Sequence, residues 1–318
     1  MSEGNAKVRI YACGGFGLNV VRKLEPYDGM ETCFIDASSA NRANEIPEDQ
    51  LHLIQGIDGS GKKRSLNVKP ISDEIPAILD KFTPADFNIV VFSAGGGSGS
   101  VIGPLLLSNL IKSEHTAVVV MVGILESSVT IKNTLDVIKG FEALSAKTNM
   151  PVAVSYHQND EGVPRSVVDG EVIYVLKALS QMTNQRHSEL DTKDVDNWVF
   201  FNRVTGVSAQ LVGMQVHDTR KAAMKIPEPI SVLTLVPEHD RDIPYGDPYY
   251  KTTGIYDPQE TDLVSNELHF VLSIRNMENS VQTLVQREAD LERSHAAQRG
   301  RSTILDIDDE SDNDGLVL

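Results

Sequence analysis

Basic residues are scarce in this chain: 29 lysines and arginines stand against 45 aspartates and glutamates, a formal net charge of −16. Such an acidic balance excludes general binding to the phosphate backbone of DNA or RNA, which takes a positive face. Cysteine is nearly absent. Cys13 and Cys33 both fall in apolar, strand-like runs, so a disulfide framework is excluded and two structural thiols in a reducing cytoplasm are expected. No apolar run approaches the length of a membrane span, and the start, from Met1 to Lys7, shows no secretory pattern. The eight histidines follow no metal-ligand spacing. What remains is a chain of 318 residues, long enough for two domains with substantial cores. It is expected in the cytoplasm, with no membrane partner and no direct nucleic-acid partner.

The first half alternates two periodicities. Strands are predicted at 8–12, 32–35, 51–54, 87–93, 117–122 and 152–155, and helices at 19–24, 75–81, 101–111 and 134–146. This alternation predicts an α/β fold with a mostly parallel, doubly wound sheet and a ligand at the C-terminal ends of its strands. From Gly170 to Arg186 the pattern turns helical, with Val172, Val175, Leu176, Leu179 and Met182 on one face. Past Trp198, strands at 230–236 and 269–274 and a charged amphipathic helix at 278–293 point to a smaller α+β domain packed against that helix.

The segment Gly95, Gly96, Gly97, Ser98, Gly99 and Ser100 joins the strand at 87–93 to the apolar helix at 101–111. Four glycines remove the side chains that would hold an anion away from the backbone. The helix start adds unpaired N–H groups and a positive dipole end. Pro104 is expected in the tolerated first turn of that helix. Together these features predict a phosphate cradle, with a flexible Gly/Ser turn as the plainer alternative. Two further glycine-bearing loops follow strands, at 13–19 and 56–62, and three such loops on one sheet edge would surround a multi-phosphate ligand.

Two familiar nucleotide motifs fit poorly. A dinucleotide fingerprint would have to be Gly15-Phe16-Gly17-Leu18-Asn19-Val20, whose last position should be small. A P-loop at 56–63 ends in Lys63 where Ser or Thr should ligate magnesium, and Val68-Lys69-Pro70 is expected to interrupt the helix that should follow.

The run Gly95–Ser100 resembles the signature loop of the tubulin/FtsZ superfamily, and the likeness extends along nearly the whole chain. Asn184-Gln185-Arg186-His187, Asn197-Trp198 and the ending Asp314-Gly315-Leu316-Val317-Leu318 resemble bacteriophage-encoded members. The resemblance implies a Rossmann-like parallel-sheet GTPase domain, a long central helix, a smaller α+β C-terminal domain and an acidic tail. It divides the chain into a GTP-binding domain at 1–166, the central helix at 167–190, an activation-type domain at 191–275, a C-terminal helix at 276–300 and a tail at 301–318.

Residue roles follow from the same resemblance. Gly14, Gly15, Gly17 and Asn19 match the first nucleotide loop, under the phosphates. Asp36 matches an acidic position near Mg2+, although Ser38 and Ser39 depart from the usual follow-on residues. Gly59, Ser60 and Gly61 match the loop that senses the terminal phosphate, with Lys62 and Lys63 adding positive charge there or standing as solvated lysines. Glu126 sits where the family contacts ribose, and Asn159 and Asp169 match the guanine contacts. A carboxylate suits guanine because it can accept from both N1–H and the exocyclic amine; a surface N-cap is the plainer role for Asp169.

Asp191 and Asp194 resemble the family's catalytic acids, with an exposed acidic turn as the plainer alternative. A largely helical connection from Asp169 to Asp191 would span roughly 30 Å. Asp191 therefore cannot reach the phosphates beside its own Asp169, and any catalysis falls on GTP held by a neighbouring subunit. Head-to-tail contacts of this kind extend into open filaments. The resemblance thus implies a GTPase that polymerises with GTP, depolymerises as GDP, and forms spindle-like filaments that position replicating phage DNA in the infected bacterium. A plasmid-segregating filament and a dinucleotide-binding metabolic enzyme are the alternatives. Asp306, Asp308, Asp309, Glu310, Asp312 and Asp314 are flanked by Ile304, Leu305, Ile307 and the apolar end. A solvated tail is one expectation for 304–318; docking on a basic surface of a neighbouring subunit is the other.

Overall fold

The computed structural model describes residues 7–26, 29–41, 45–57, 64, 67–160, 162–183, 187–237, 245, 247–257 and 264–299. The elements run β1 (Val8–Cys13), α1 (Gly14–Val21), β2 (Met30–Asp36), β3 (Leu51–Leu53), α2 (Val68–Lys81), β4 (Phe87–Ser93), α3 (Gly99–Lys112), β5 (Ala117–Ile124), α4 (Ser128–Thr148) and β6 (Val152–Asn159). They continue with α5 (Arg165–Met182), β7 (His187–Ser188), α6 (Thr192–Val199), β8 (Leu211–His217), α7 (Arg220–Ala223), β9 (Pro229–Val236), β10 (Tyr250–Tyr256), β11 (Leu268–Ser273) and α8 (Ile274–Arg299).

The predicted strands of the first half form where apolar β-branched residues cluster. β4 and β5 are buried along nearly their whole length, as strands covered on both faces should be. Helix starts lie earlier than periodicity alone places them. α4 begins at Ser128 because the Ser127 hydroxyl accepts the Thr130 N–H at 3.3 Å and the Thr130 hydroxyl accepts the Ser127 N–H at 3.1 Å, a capping box. Val68-Lys69-Pro70 opens α2 instead of interrupting it, since the first turn has no use for the missing proline N–H. Pro104, expected in a first turn, is the sixth residue of α3.

The strands of the described residues join one 11-stranded sheet, ordered β3-β2-β1-β4-β5-β6-β8-β11-β9-β10-β7. From β3 to β8 every pairing is parallel; β8–β11 and β11–β9 are antiparallel. The second half therefore continues the first half's sheet through β6 and β8, where Val152 pairs with Leu211. Trp198 is fully buried and meets Phe270 edge-on, ring centroids 6.0 Å apart, so α6 is anchored on the C-terminal strands. Cys13 and Cys33 are free and buried; burial pushes the Cys33 thiol up to about 12 and the Cys13 thiol well above its usual value, which keeps both inert.

Burial also lowers the pKa of His157, His187, His217 and His269. His269 is enclosed by Tyr245, Glu267, His217 and Arg220. Because the unfolded chain binds protons more readily at these sites, their stabilisation is complete above about pH 6.5 and is lost as pH falls toward the folded values. Between about pH 7 and pH 5, the denaturant midpoint of the wild type is expected to fall more than that of His269→Gln. Parallel slopes would refute this.

Candidate functional site

The strand order 3-2-1-4-5-6 reverses direction between β1 and β4, and open α/β sheets bind ligands in the crevice at that point. α1 and α3 both begin there. Gly14, at φ 70°, makes the turn from β1, and Gly14, Gly15 and Gly17 form the start of α1 rather than a loop. A Cβ on Gly14 would lie 2.7 Å from the Gly99 nitrogen, one on Gly99 2.7 Å from the Cys13 oxygen, and one on Gly17 2.7 Å from the Val91 oxygen. These glycines let two helix starts touch backbone to backbone. Asn19 is exposed on α1.

The carbonyls of the glycine run are held from behind. The Ser100 hydroxyl lies 2.7 Å from Gly96 O and 3.0 Å from Gly97 O, and the Asn133 amide donates to Gly95 O and Gly96 O, each at 3.4 Å. In a trans peptide the next N–H points the opposite way, so the Gly97 and Ser98 amides face away from these donors. The first-turn amides of Gly99 and Ser100 have no helical acceptor, so this helix start carries the unpaired donors that an anion can use.

Asp36, at the end of β2, is fully buried. Its Oδ1 accepts the Ala37 N–H at 2.7 Å and the Ser98 hydroxyl at 2.9 Å, and its Oδ2 accepts the Asn41 amide at 2.7 Å. In this geometry Asp36 anchors Ser98 and Asn41. It offers no open oxygen to a magnesium ion, which binds through oxygens it can reach with several waters retained.

Asn159 closes β6 with its Oδ1 buried and without a hydrogen-bond partner, the kind of orphan a bound group would satisfy. Asp169 lies inside α5, four residues past its start, so an N-cap role is excluded; its Oδ2 accepts from Lys23 Nζ at 3.2 Å. Glu126 is paired with Arg165 at 2.6 Å. Ser155 Oγ, His157 and Glu171 repeat the order of nucleophile, base and acid at 3.0 and 3.4 Å, but Ser155 is buried within β6 and beyond a substrate's reach.

Asp191 and Asp194 lie beyond the other end of α5. They cap α6 reciprocally: Asp191 Oδ1 accepts the Asp194 N–H at 3.0 Å, and Asp194 Oδ2 accepts the Asp191 N–H at 3.1 Å. Tyr250 donates to Asp194 Oδ1 at 3.3 Å. From Asp169 to the helix end at Met182 the rise alone is about 20 Å. The structure therefore assembles the glycine run, Asp36 and the starts of α1 and α3, and leaves the acidic pair well apart. Gly59, Ser60, Gly61, Lys62, Lys63, the 184–186 segment and the 304–318 tail lie outside the described residues.

Residues 190–276 match the family described as "Phage tubulin-like protein, C-terminal domain". A phage tubulin-like protein of Pseudomonas phage PhiPA3 is 35% identical over 98% of this chain and 99% of its own length. The chain belongs to the phage tubulin-like family. Among solved structures, this phage tubulin resembles the protofilament of TubZ from bacteriophage PhiKZ with a TM-score of 0.89 and 35% identity, covering 98% of this chain and 99% of that one. It resembles the GDP complex of the phage tubulin PhuZ with a TM-score of 0.88 and 30% identity, covering 98% and 100%. The expected α/β, tubulin-like fold is borne out.

Sequence reasoning about this phage tubulin missed Asn41, Asn133 and Tyr250, which hold the candidate residues from outside the motifs. It also missed that Asp191 and Asp194 cap a helix. The signal was present: an N-cap residue followed three positions later by an acid, ahead of Val195, Trp198 and Val199.

Proposed function

We propose that this phage tubulin binds GTP at the β1–β4 crevice, polymerises head to tail in the cytoplasm of the infected bacterium, and hydrolyses GTP only within the filament. Gly14, Gly15, Gly17, the Gly95–Ser100 run and Gly59, Ser60 and Gly61 would hold the phosphates. Asn19 would lie with the first of these under the phosphates, and Glu126 would meet the ribose. The orphaned Asn159 Oδ1 and the Asp169 carboxylate suit a guanine edge.

The observation that carries hydrolysis in trans is α5, whose rise takes Met182 about 20 Å from Asp169, with Asp191 following on from that far end. The acids of one subunit would orient a water for attack on the γ-phosphorus of the next subunit's GTP. The backbone amides of the glycine run would absorb the developing charge. In the same proposal the chain divides at 166, 190, 275 and 300, its filaments position replicating phage DNA, and 304–318 docks on a neighbouring subunit.

Phosphate release measured against protein concentration tests this. A threshold is expected, with turnover negligible below it and steep above. Removing 306–318 is expected to raise the threshold. A strictly linear rate would refute hydrolysis in trans, and an unmoved threshold in the truncated chain would refute tail docking alone.

A further inference from the structure

Pro104 leaves a carbonyl without its helical donor. It has no N–H, so α3 cannot close on the oxygen four residues back, which belongs to Ser100 at the end of the glycine run. Arg64 fills the place. Its Nη2 donates to Ser100 O at 3.0 Å and its Nη1 to Asn133 O, in α4, at 3.4 Å. Asp136 lies 3.9 Å from Nη1, and the Nε is buried without a partner. The Asn133 amide then reaches forward to Gly95 O and Gly96 O. One guanidinium and one amide thus tie Arg64 itself, the start of α3, the first half of α4 and the glycine run into a single chain of contacts.

We propose that Arg64 and Asn133 are positioning residues for phosphate binding: they pin the carbonyls of the glycine run so that its amides stand ready for a di- or triphosphate. The proposal rests on guanine-nucleotide binding at that run. Arg64 Nη1 and Nη2 and the Asn133 amide donate to protein carbonyls, so their effect on the ligand passes through backbone orientation. The consequence is selective. Contacts to phosphate depend on this layer; contacts to the base, at Asn159 and Asp169, do not.

Isothermal titration of the full chain with GTP and GDP, beside saturation-transfer NMR with guanosine, separates the two. Arg64→Met is expected to weaken GTP and GDP binding roughly tenfold, because charge-assisted contacts are lost, while guanosine affinity stays within about twofold. Arg64→Lys should recover part of the loss, since an ammonium can serve one carbonyl but cannot fork to two. Asn133→Leu should repeat the Arg64→Met pattern. An unchanged GTP affinity in Arg64→Met overturns the proposal, as does an equal loss for guanosine, which would mark general loss of structure. A wild-type chain that binds no GTP would overturn nucleotide binding itself, and this proposal with it.

Discussion

Asp191→Asn is expected to stop GTP turnover while leaving the acidic turn folded. Asn caps a helix about as well as Asp, so the 3.0 Å bond from the Asp194 N–H keeps an acceptor and only the charge is lost. Alanine is the wrong probe. It would remove the cap as well, at about 1 kcal/mol, and confuse a folding defect with a chemical one. If the pair activates a water on the neighbouring subunit's GTP, removing one acid should slow phosphate release on the order of 10²- to 10⁴-fold per polymerised subunit. Filaments should still assemble with GTP and should persist, because assembly precedes hydrolysis. Asp194→Asn should behave similarly; its carboxylate is shared between the Asp191 N–H and Tyr250. Turnover at the wild-type rate in sedimented Asp191→Asn filaments would leave the pair with its capping role alone.

Gly99→Ala is expected to damage both stability and nucleotide affinity. The new Cβ would sit 2.7 Å from the Cys13 carbonyl oxygen, and that contact is backbone, which cannot rotate aside. Overpacking of this kind costs about 1–3 kcal/mol. Gly14→Ala meets the same junction from the other side and adds left-handed backbone strain of roughly 1–2 kcal/mol at φ 70°. In both variants the starts of α1 and α3 must separate, so GTP affinity should fall at least about tenfold. Gly140→Ala is the internal contrast. It lies in α4 with nothing within 4 Å of its would-be Cβ, and should stabilise the protein by up to about 1 kcal/mol. Denaturant midpoints check the signs; a Gly99→Ala midpoint at or above the wild-type value would refute the packing argument.

The strands of the first half, the helix after the glycine run and the central helix are legible in the sequence because their signals are local. Apolar runs in β4 and β5 and the spacing of Val172, Val175 and Leu179 need no distant partner to be read. β8 and β10 were illegible for the opposite reason. Leu211–His217 carries Gly213 as its third residue, packed under Asn276 of α8, and Tyr250–Tyr256 begins with polar residues on a partly exposed strand. Their places come from partners far along the chain. Capping explains the early start of α4, and the pattern that marks it spans four residues, shorter than a helical period.

The candidate site divides along the same line. By itself the sequence determined that a glycine run joins a strand to a helix, that acids lie past a long helix, and that the chain carries a tubulin-like order of motifs. Tertiary structure alone decided that Gly14 and Gly99 touch, that Asp36 anchors Ser98 and Asn41, and that Arg64 serves the carbonyl Pro104 leaves open. Periodicity, turn chemistry and capping act between residues a few positions apart, so a single sequence displays them. Close approach of backbones and donors from distant segments is set by how the sheet orders its strands, and no local pattern encodes that.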